Sequence, residues 1–329
     1  MANLLTFPAP GPGDERLDRL VLAWLQSRPE LQTTTRSQLK SWIEAGRIAV
    51  NGEVRLKAGT IVRPGATISV ELVPVGADDI PGWEHPLEIV YEDRDLLVIN
   101  KPAALTMHPG AGNRAHTLVN ALAWHFRHQG DEFFSAGVRP GIVHRLDRDT
   151  TGLVVVARNA ATHEGLARQF AERSVGRSYL ALVFSTPRAR RAVTTSDTGR
   201  IDAPIGRHPT RRTMMAVVEG GRRAVTNWRV VERMPYGTVL EVRLETGRTH
   251  QIRVHCAHLG CPVIGDALYG DFSGLPAPLK RAAELFGRQA LHAFRLEFTH
   301  PSTGQRLSFT GQPPADLEAL MASFRQGGR

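Results

Sequence analysis

Apolar positions shortly after the N-terminus recur at intervals of three and four residues, which is the spacing of one face of an α-helix. That face consists of Leu17, Leu20, Val21, Trp24 and Leu25. A second amphipathic helix is predicted over residues 37–45, and Gly46 would end it because glycine adopts the left-handed conformation that closes helices. Shorter apolar runs predict small strands at residues 48–50, 53–56, 61–62 and 68–70. The pattern therefore predicts two helices followed by a small sheet.

Breaks in this pattern divide the chain into four parts. Residues 1–14 are rich in proline and glycine, which predicts a disordered lead. The small helical and sheet unit occupies residues 15–75. Residues 76–85 combine glycine, proline and acidic residues and are predicted to be a linker. Residues 86–325 form the remaining, larger domain.

The larger domain reads mainly as strands. Strands are predicted at residues 87–90, 96–99, 179–184, 225–231, 239–244 and 294–298. Helices are predicted at residues 117–125, 160–172 and 251–259. Because few of these strands alternate with helices in parallel βαβ repeats, the predicted fold class is α+β with a mixed, largely antiparallel sheet.

Composition and charge narrow the class of protein. The chain has 41 Lys and Arg against 32 Asp and Glu, a net charge of +9, which favours a polyanionic partner. Two cysteines argue against a disulfide scaffold and fit a reducing cytoplasm. No apolar run approaches the roughly 20 residues of a membrane span, and the first residues do not resemble a secretory signal.

The most informative segment is residues 141–153, GIVHRLDRDTTGL. Two apolar runs flank a polar turn that contains His144, Arg145 and Asp147, and the small residues TTG return the chain to the second run. A carboxylate fixed between two buried strands suits a site that needs one acid in one place, because rigid scaffolds support reactive loops.

The segment HRLD followed by a small-residue turn resembles the signature of the RluA-type pseudouridine synthase family. Further segments match the same family: RSYLA at residues 177–181, LETGRTHQIRVH at 244–255, and the pairs at 265–266 and 269–270. The runs MHPGAG, RHPTRRT and RQALHA are most similar to members acting on large-subunit ribosomal RNA. The similarity spans roughly residues 16–314. Residues 15–75 resemble the small RNA-binding domain first known from ribosomal small-subunit protein four.

The resemblance implies isomerisation of specific uridines to pseudouridine in large-subunit (23S) ribosomal RNA, without a cofactor or a metal. It assigns Asp147 as the essential acid, Arg253 as its ion-pair partner and Tyr179 as the ring that packs on the uracil. Arg145 would fill the space that the flipped base vacates. His144 would support the loop. The usual lysine two residues before the tyrosine is Arg177 here, which keeps the charge but changes the donor geometry.

Two basic regions are expected to contact RNA. Residues 36–63 hold six basic and two acidic residues, and Arg36, Lys40 and Arg47 fall around the second helix and its exit. In the larger domain, an insert expected to clamp RNA carries Arg207, Arg211, Arg212, Arg222 and Arg223. The expected partner is large-subunit ribosomal RNA or a pre-ribosomal particle, bound by a monomer that does not associate with membranes.

Several alternatives stay open at this stage. The chain could be a catalytically silent RNA-binding or ribosome assembly factor, or a hydrolase of N-glycosidic bonds, which would need a positioned water and usually a second carboxylate. Asp147 could attack C1′ or remove a 2′ proton. Asp149 is a decoy for the essential acid. The group His255, Cys256, His258 and Cys261 fits no common zinc spacing, so no metal site is predicted there.

Overall fold

The computed structural model describes residues 3–28, 31, 34, 36–72, 80–110, 113, 115–129, 141–185, 195–211 and 213–327. The chain divides into two compact units, Met1–Gly76 and Ala77–Arg329. Each unit has hydrophobic core residues of its own.

In the part of the smaller unit that the structure describes there are two helices and six strands. They are β1 (Asn3–Pro8), β2 (Glu15–Arg16), α1 (Leu17–Gln26), α2 (Arg36–Glu44), β3 (Ile48–Val50), β4 (Glu53–Val54), β5 (Ile61–Val62) and β6 (Thr67–Leu72). Four of the strands form an antiparallel sheet in the order β1, β6, β3, β4. Val21 and Leu25 of α1 and Ile43 of α2 are fully buried in the core, so the apolar faces of both helices lie where the spacing predicted.

The prediction of disorder at residues 1–14 is corrected by strand β1. Its residues pair antiparallel with β6, from Asn3 opposite Leu72 to Pro8 opposite Thr67. Phe7 is buried and its ring stacks on Trp24 with centroids 4.0 Å apart. The compositional argument failed because the prolines and glycines lie at the end of this apolar run and beyond it, where they do not interrupt the strand ladder.

The larger unit contains five helices and twelve strands within the described ranges. The helices are α3 (Leu118–His128), α4 (Ala160–Glu172), α5 (Gln251–His258), α6 (Ala277–Phe286) and α7 (Ala315–Arg325). The strands are β7 (Ile89–Glu92), β8 (Leu96–Lys101), β9 (Gly141–Ile142), β10 (Thr151–Ala157), β11 (Gly176–Val183), β12 (Thr198–Asp202), β13 (Ile205–Arg207), β14 (Met215–Val217), β15 (Val225–Arg233), β16 (Thr238–Leu244), β17 (Leu291–Thr299) and β18 (Arg306–Thr310).

A ten-stranded sheet organises this unit. Its main path is β12-β15-β16-β11-β17-β10-β8-β7, with β18 beside β17 and β9 beside β10. Strands β10 and β17 pair in parallel, and the other pairs along this sheet are antiparallel. The predicted α+β class with a mixed, largely antiparallel sheet is therefore confirmed.

Part of the predicted linker belongs to the larger unit. The backbone N–H of Trp83 donates to the carbonyl of Asn120 in α3 at 3.0 Å, and the Asn120 side chain donates to the carbonyl of Pro81 at 2.8 Å. Residues 80–85 are thus held against α3, because their backbone forms hydrogen bonds with polar groups of that helix. The remainder of the predicted linker, residues 76–79, lies outside the described residues.

The start of β10 determines where the polar turn lies. Every residue of β10 is buried, so this strand is anchored in the middle of the sheet. Gly152 has φ +117, and a Cβ at this position would lie 2.3 Å from the carbonyl oxygen of Ala293 in β17. Only glycine permits this close approach. The turn that contains Asp147 is therefore attached directly to two core strands.

Candidate active site

Asp147 lies in the turn between β9 and β10, where it borders two cavities. The first cavity, of about 550 Å³, is also lined by Tyr179, Arg177 and Arg253. The second, of about 580 Å³, lies against the same carboxylate and is lined by Arg148 and by residues that follow α6. The side chain of Asp147 retains 18% of its exposure, so a substrate in either cavity could reach it.

Arg253 is the cation that contacts Asp147. Its Nη1 donates to Asp147 Oδ2 at 3.1 Å, the contact that the family resemblance implied for this pair. The opposite edge of the guanidinium is held by Asp266, with Nε–Oδ2 at 2.6 Å and Nη2–Oδ1 at 2.8 Å. Asp266 is fully buried and also accepts the backbone N–H groups of Leu268 and Tyr269. The bidentate pair fixes the plane of Arg253 and hence the direction from which it approaches Asp147.

Electrostatics keep Arg253 charged in this buried position. Burial disfavours a charged guanidinium, but the hydrogen bonds and negative charges of Asp266 and Asp147 outweigh that effect and raise the pKa of Arg253 above its ordinary value. The site therefore holds two carboxylates around one permanent cation.

His250 and Tyr269 complete this side of the site, and neither was singled out from the sequence. His250 Nε2 lies 4.0 Å from Asp147 Oδ1, and His250 Nδ1 lies 2.8 Å from the Tyr269 hydroxyl. The Tyr269 oxygen accepts the backbone N–H of Met215 at 2.9 Å. The signal that could have identified both was in the sequence, since they stand inside the motifs at residues 244–255 and 269–270.

Tyr179 lies in β11, where the first cavity meets the sheet. Its side chain is buried, and burial is the main cause that raises the pKa of its phenol above the ordinary value. Arg177, two residues earlier on the same strand, lines the cavity with its guanidinium 5.3 Å from the centre of the Phe170 ring. The cavity therefore offers an aromatic wall and a cation to a bound group.

His144 supports the turn through the neighbouring strand. Its Nε2 accepts the backbone N–H of Val155 in β10 at 3.1 Å, and its ring stacks on Phe170 with centroids 4.8 Å apart. Burial, followed by the nearby charge of Arg177, lowers the pKa of His144 to about 3, so the imidazole is neutral near pH 7. The next residue, Arg145, is exposed and borders both cavities.

Three buried polar side chains clamp the residues that follow Asp147, and sequence reasoning missed them. Lys101 Nζ donates to the carbonyl of Arg148 at 2.9 Å. Arg288 Nη1 donates to the carbonyl of Asp149 at 3.3 Å, and Gln289 Nε2 donates to Thr150 Oγ1 at 3.0 Å. The run RQALHA, quoted only for its similarity, contained two of these three residues.

Lys101 is unusual because its ammonium is buried and no carboxylate of the described residues pairs with it. It donates to three backbone carbonyls, those of Pro102, Leu105 and Arg148. Burial is the main cause that lowers the pKa of Lys101 to about 7, and the negative charges of Asp149 and Asp147 counter it in part. Three acceptors require three N–H donors, which only the charged form supplies.

The predicted RNA-contacting residues lie on several surfaces. In the smaller unit Arg36 and Lys40 are exposed on α2, and Arg47 is half-buried after it. Lys40 lies 3.5 Å from Glu44. In the larger unit Arg207 and Arg211 are exposed on the hairpin of β13 and β14 and line neither cavity beside Asp147. Arg212 lies outside the described residues.

The two remaining basic residues of the insert differ in their contacts. Arg222 is exposed, and its backbone pairs with Ile205. Arg223 Nη2 lies 3.9 Å from carboxylate oxygens of both Asp202 and Glu245.

No helix in the described ranges is long and apolar enough to cross a membrane.

Two groups of possible metal ligands are already engaged in hydrogen bonds. His255 contacts Thr226 Oγ1 at 2.8 Å through Nδ1 and the carbonyl of Ala203 at 3.0 Å through Nε2, which leaves no free nitrogen beside Cys256. A second group, elsewhere in the larger unit, comprises Asp93, Asp95 and His300. His300 Nδ1 accepts two backbone N–H groups, so Nε2 carries the proton that it donates to Asp93 at 3.0 Å. Neither histidine offers a lone pair to a metal in this arrangement.

Comparison with known proteins gives consistent matches across both units. A family model described as RNA pseudouridylate synthase matches residues 95–258, and an S4 domain model matches residues 34–68. The protein named ribosomal large subunit pseudouridine synthase D of Xanthomonas campestris is 46% identical over 89% of this chain and 85% of its own length. Its namesake in Pseudomonas aeruginosa is 44% identical over 95% of this chain and 93% of its own.

A solved structure shares the fold of the larger part of the chain. Human RNA Pseudouridylate Synthase Domain Containing 1 superposes with a TM-score of 0.56 at 29% identity. The match covers 73% of this chain and 89% of the human one.

Proposed function

Because this chain belongs to the RNA pseudouridylate synthase family and is an enzyme that isomerises uridine in RNA, we propose that Asp147 is its catalytic carboxylate. We also propose that large-subunit ribosomal RNA is its substrate. The observation that carries the catalytic assignment is that Asp147 is the one carboxylate among the described residues that lines both cavities, and that a buried arginine, oriented by another carboxylate, contacts it. The substrate assignment rests on the two relatives named ribosomal large subunit pseudouridine synthase D, which match both units of the chain.

The chemistry needs one carboxylate at the sugar and a pocket for the base. Uracil separates from C1′ through N1, rotates, and rejoins C1′ through C5. Asp147 stabilises the electron-poor sugar, either by bonding to C1′ or by removing a 2′ proton, much as carboxylates act in glycoside hydrolysis. Arg253 Nη1 donates to Asp147 Oδ2 at 3.1 Å and so fixes the direction of the carboxylate.

The first cavity is the place for the detached uracil. Tyr179 supplies a flat wall on which the base packs, and Arg177 supplies a cation near the edge of the cavity. Because burial raises the pKa of Tyr179, its phenol is neutral when the base enters. Its proposed role is therefore to pack against the uracil, and removal of the C5 proton would require the bound state to lower that pKa.

Access to Asp147 requires the target nucleotide to leave its stack. Arg145 is exposed at the border of both cavities and is the side chain proposed to take the place of the flipped base. His144 holds the turn to β10 through Val155 and keeps Arg145 and Asp147 at fixed positions.

RNA binding away from the active site is assigned to basic surfaces. In the S4 domain these are Arg36, Lys40 and Arg47, and on the hairpin they include Arg207 and Arg211. Arg212 is included from the sequence alone. Such phosphate contacts position the enzyme without reading sequence and make binding sensitive to salt. We further infer that the protein acts as a monomer in the cytoplasm, on free ribosomal RNA or a pre-ribosomal particle.

The test is turnover of purified RNA. The protein is incubated with unmodified large-subunit ribosomal RNA, small-subunit ribosomal RNA and transfer RNA, and pseudouridines are mapped in each. Formation in the large-subunit RNA alone, lost in Asp147→Asn, is the expected result. Pseudouridine formation only in another RNA would overturn the substrate assignment. Equal activity of Asp147→Asn would overturn the catalytic assignment.

A further inference from the structure

His250 has a backbone conformation that is uncommon for residues other than glycine. Its φ of +55 lies in the left-handed region, which favours glycine and disfavours residues with a Cβ. His250 stands at the N-terminal boundary of α5, yet its side chain makes no capping hydrogen bond to that helix. Strained residues cluster at functional sites, where the surrounding structure holds them. This one directs an imidazole toward Asp147.

The surrounding structure holds His250 in place from the adjoining residue. The Gln251 side chain accepts the backbone N–H of Arg248 at 3.0 Å and donates to the carbonyl of Val225 at 3.0 Å. Gln251 is buried, so these bonds are shielded from water. The turn into α5 is therefore fixed immediately after His250.

Tyr269 determines which nitrogen of His250 carries the proton. The Tyr269 oxygen accepts a backbone N–H from Met215 and lies 2.8 Å from His250 Nδ1, so we infer that the Tyr269 hydroxyl donates its hydrogen to Nδ1. Nδ1 is then the acceptor, so the hydrogen of a neutral imidazole lies on Nε2. Burial, the largest influence, lowers the pKa of His250 below its ordinary value, and the charge of Asp147 counters this only in part. The ring is thus a neutral donor with a defined tautomer.

The Nε2–H group faces the reacting region. Nε2 lies 4.0 Å from Asp147 Oδ1, too far for a direct hydrogen bond, and none of the hydrogen bonds found among the described residues uses it. His250 lines both cavities that meet at Asp147. A donor in this place is available to a substrate oxygen beside the carboxylate.

We propose that His250 is a further catalytic residue, which donates a hydrogen bond from Nε2–H to O2 of the uracil as the bond between C1′ and N1 breaks. Tyr269 is the positioning residue that fixes the tautomer and the ring. The inference rests on the proposed role of Asp147 at the sugar, because it is the carboxylate that places C1′ near His250.

The step balances without a further reactant. When C1′–N1 breaks, the bonding electrons stay with uracil and are delocalised over N1, O2, C5 and O4. His250 stabilises that charge by hydrogen bonding and keeps its proton. After rotation the electron pair at C5 bonds to C1′, the C5 proton leaves, and N1 gains one, which completes the isomerisation. A preorganised donor aimed at a developing charge acts in the transition state more than in the ground state.

The experiment pairs a change in the enzyme with a change in the substrate. The RNA is a synthetic fragment of large-subunit ribosomal RNA that carries one mapped target, either as uridine or as 2-thiouridine, whose sulfur is the weaker hydrogen-bond acceptor. Single-turnover rates and RNA affinities are measured for wild type, His250→Ala and Tyr269→Phe. His250→Ala is expected to be slower than wild type on uridine by at least tenfold, with affinity within twofold. The slowing caused by 2-thiouridine should be large in wild type and nearly absent in His250→Ala.

Tyr269→Phe keeps the ring and removes the hydroxyl, so it serves as a second variant if His250→Ala does not fold. It should slow uridine turnover less than His250→Ala and show an intermediate effect of 2-thiouridine. An equal sulfur effect in wild type and in the folded variants would overturn the proposal while leaving Asp147 in place. Failure of wild type to convert the uridine fragment, or undiminished activity of Asp147→Asn, would instead be a failure of the proposed function.

Discussion

Arg253 contacts Asp147 through Nη1 alone, because Nε and Nη2 of the same guanidinium are taken by Asp266. The two carboxylates therefore share one cation unequally. Asp266 is buried and doubly bonded, whereas Asp147 makes one contact at 3.1 Å and borders both cavities. Asp266 therefore fixes the position of Arg253, and Arg253 orients Asp147 toward the substrate.

Replacement of Asp266 is expected to affect stability more than replacement of Asp147. Asp266→Asn removes the bidentate partner and leaves a buried guanidinium undercompensated, which typically costs about 3–5 kcal/mol. Asp147→Asn removes one contact at a partly exposed carboxylate and should cost about 1 kcal/mol or less. Urea denaturation of both variants measures the difference. Equal losses would contradict the division of roles between the two carboxylates.

Replacement of Asp147 should separate chemistry from binding. Asp147→Ala is expected to reduce pseudouridine formation below detection, while RNA affinity stays within a few fold because the basic surfaces are untouched. Asp149→Ala, two residues along the same turn, is the matched control and should retain turnover. The readouts are pseudouridine formation and a filter-binding isotherm for each variant. A large loss of affinity in Asp147→Ala would argue that this residue binds RNA instead of acting on it.

The hydrogen bonds from Lys101 to the turn that contains Asp147 should affect the turnover rate more than the affinity for RNA. Lys101→Met leaves the carbonyls of Pro102, Leu105 and Arg148 without their shared donor, and buried unpaired groups cost about 1–3 kcal/mol each. We expect turnover to fall about 10- to 100-fold, because a displacement near 1 Å at a reacting group has an effect of this order. Affinity should stay within twofold.

A matched lysine tests whether this effect is specific. Lys280 is exposed on α6, and Lys280→Met removes the same charge and chain chemistry. It should leave turnover and stability close to wild type. A comparable loss of turnover in both variants would contradict the role assigned to Lys101.

His144 should make the protein less stable in mild acid. Its pKa is about 3 in the folded protein against an ordinary 6.5, so between these values the unfolded chain binds more protons than the folded one. Stability contributed by neutral His144 is therefore present above pH 6.5 and is lost as the pH falls toward 3, by about 2 kcal/mol between pH 7 and pH 5. Denaturation of wild type and His144→Gln at both pH values separates the contribution of His144 to the free energy of unfolding from that of other histidines. Parallel losses in the two proteins would contradict it.

The S4 domain should contribute phosphate contacts that salt weakens. Neutralising Arg36, Lys40 and Arg47 by Gln is expected to weaken RNA binding and to reduce the slope of log affinity against log salt by about 2 to 3. A control variant carries Gln at three exposed basic positions of the larger unit, Arg94, Arg168 and Lys280. Titrations at several salt concentrations compare them. Equal slopes for the two triple variants would remove the special role of this surface.

Local features were the easiest to predict from sequence. The helix predicted at residues 160–172 has those bounds in the structure, because its apolar spacing is regular and Asn159 caps it by accepting the backbone N–H of Thr162. The predicted disorder at the N-terminus failed because strand β1 forms only against β6, some sixty residues away. Composition alone contains no information about such a partner.

The same distinction between local features and long-range contacts applies to the active site. The contact between Asp147 and Arg253 joins residues 106 positions apart and was expected only through the family resemblance. Lys101, Arg288 and Gln289 were missed because their roles depend on backbone carbonyls and a hydroxyl that tertiary packing places beside them. For His250 the motif was visible, but the tautomer depends on Tyr269 and Met215, which no spacing rule connects to it.

The most direct test of the account is pseudouridine mapping of 23S ribosomal RNA from cells that lack this protein, compared with cells rescued by wild type or by Asp147→Asn. The account predicts that specific pseudouridines disappear in the deletion and return with wild type but not with Asp147→Asn. An unchanged 23S map in the deletion, or full restoration by Asp147→Asn, would contradict it.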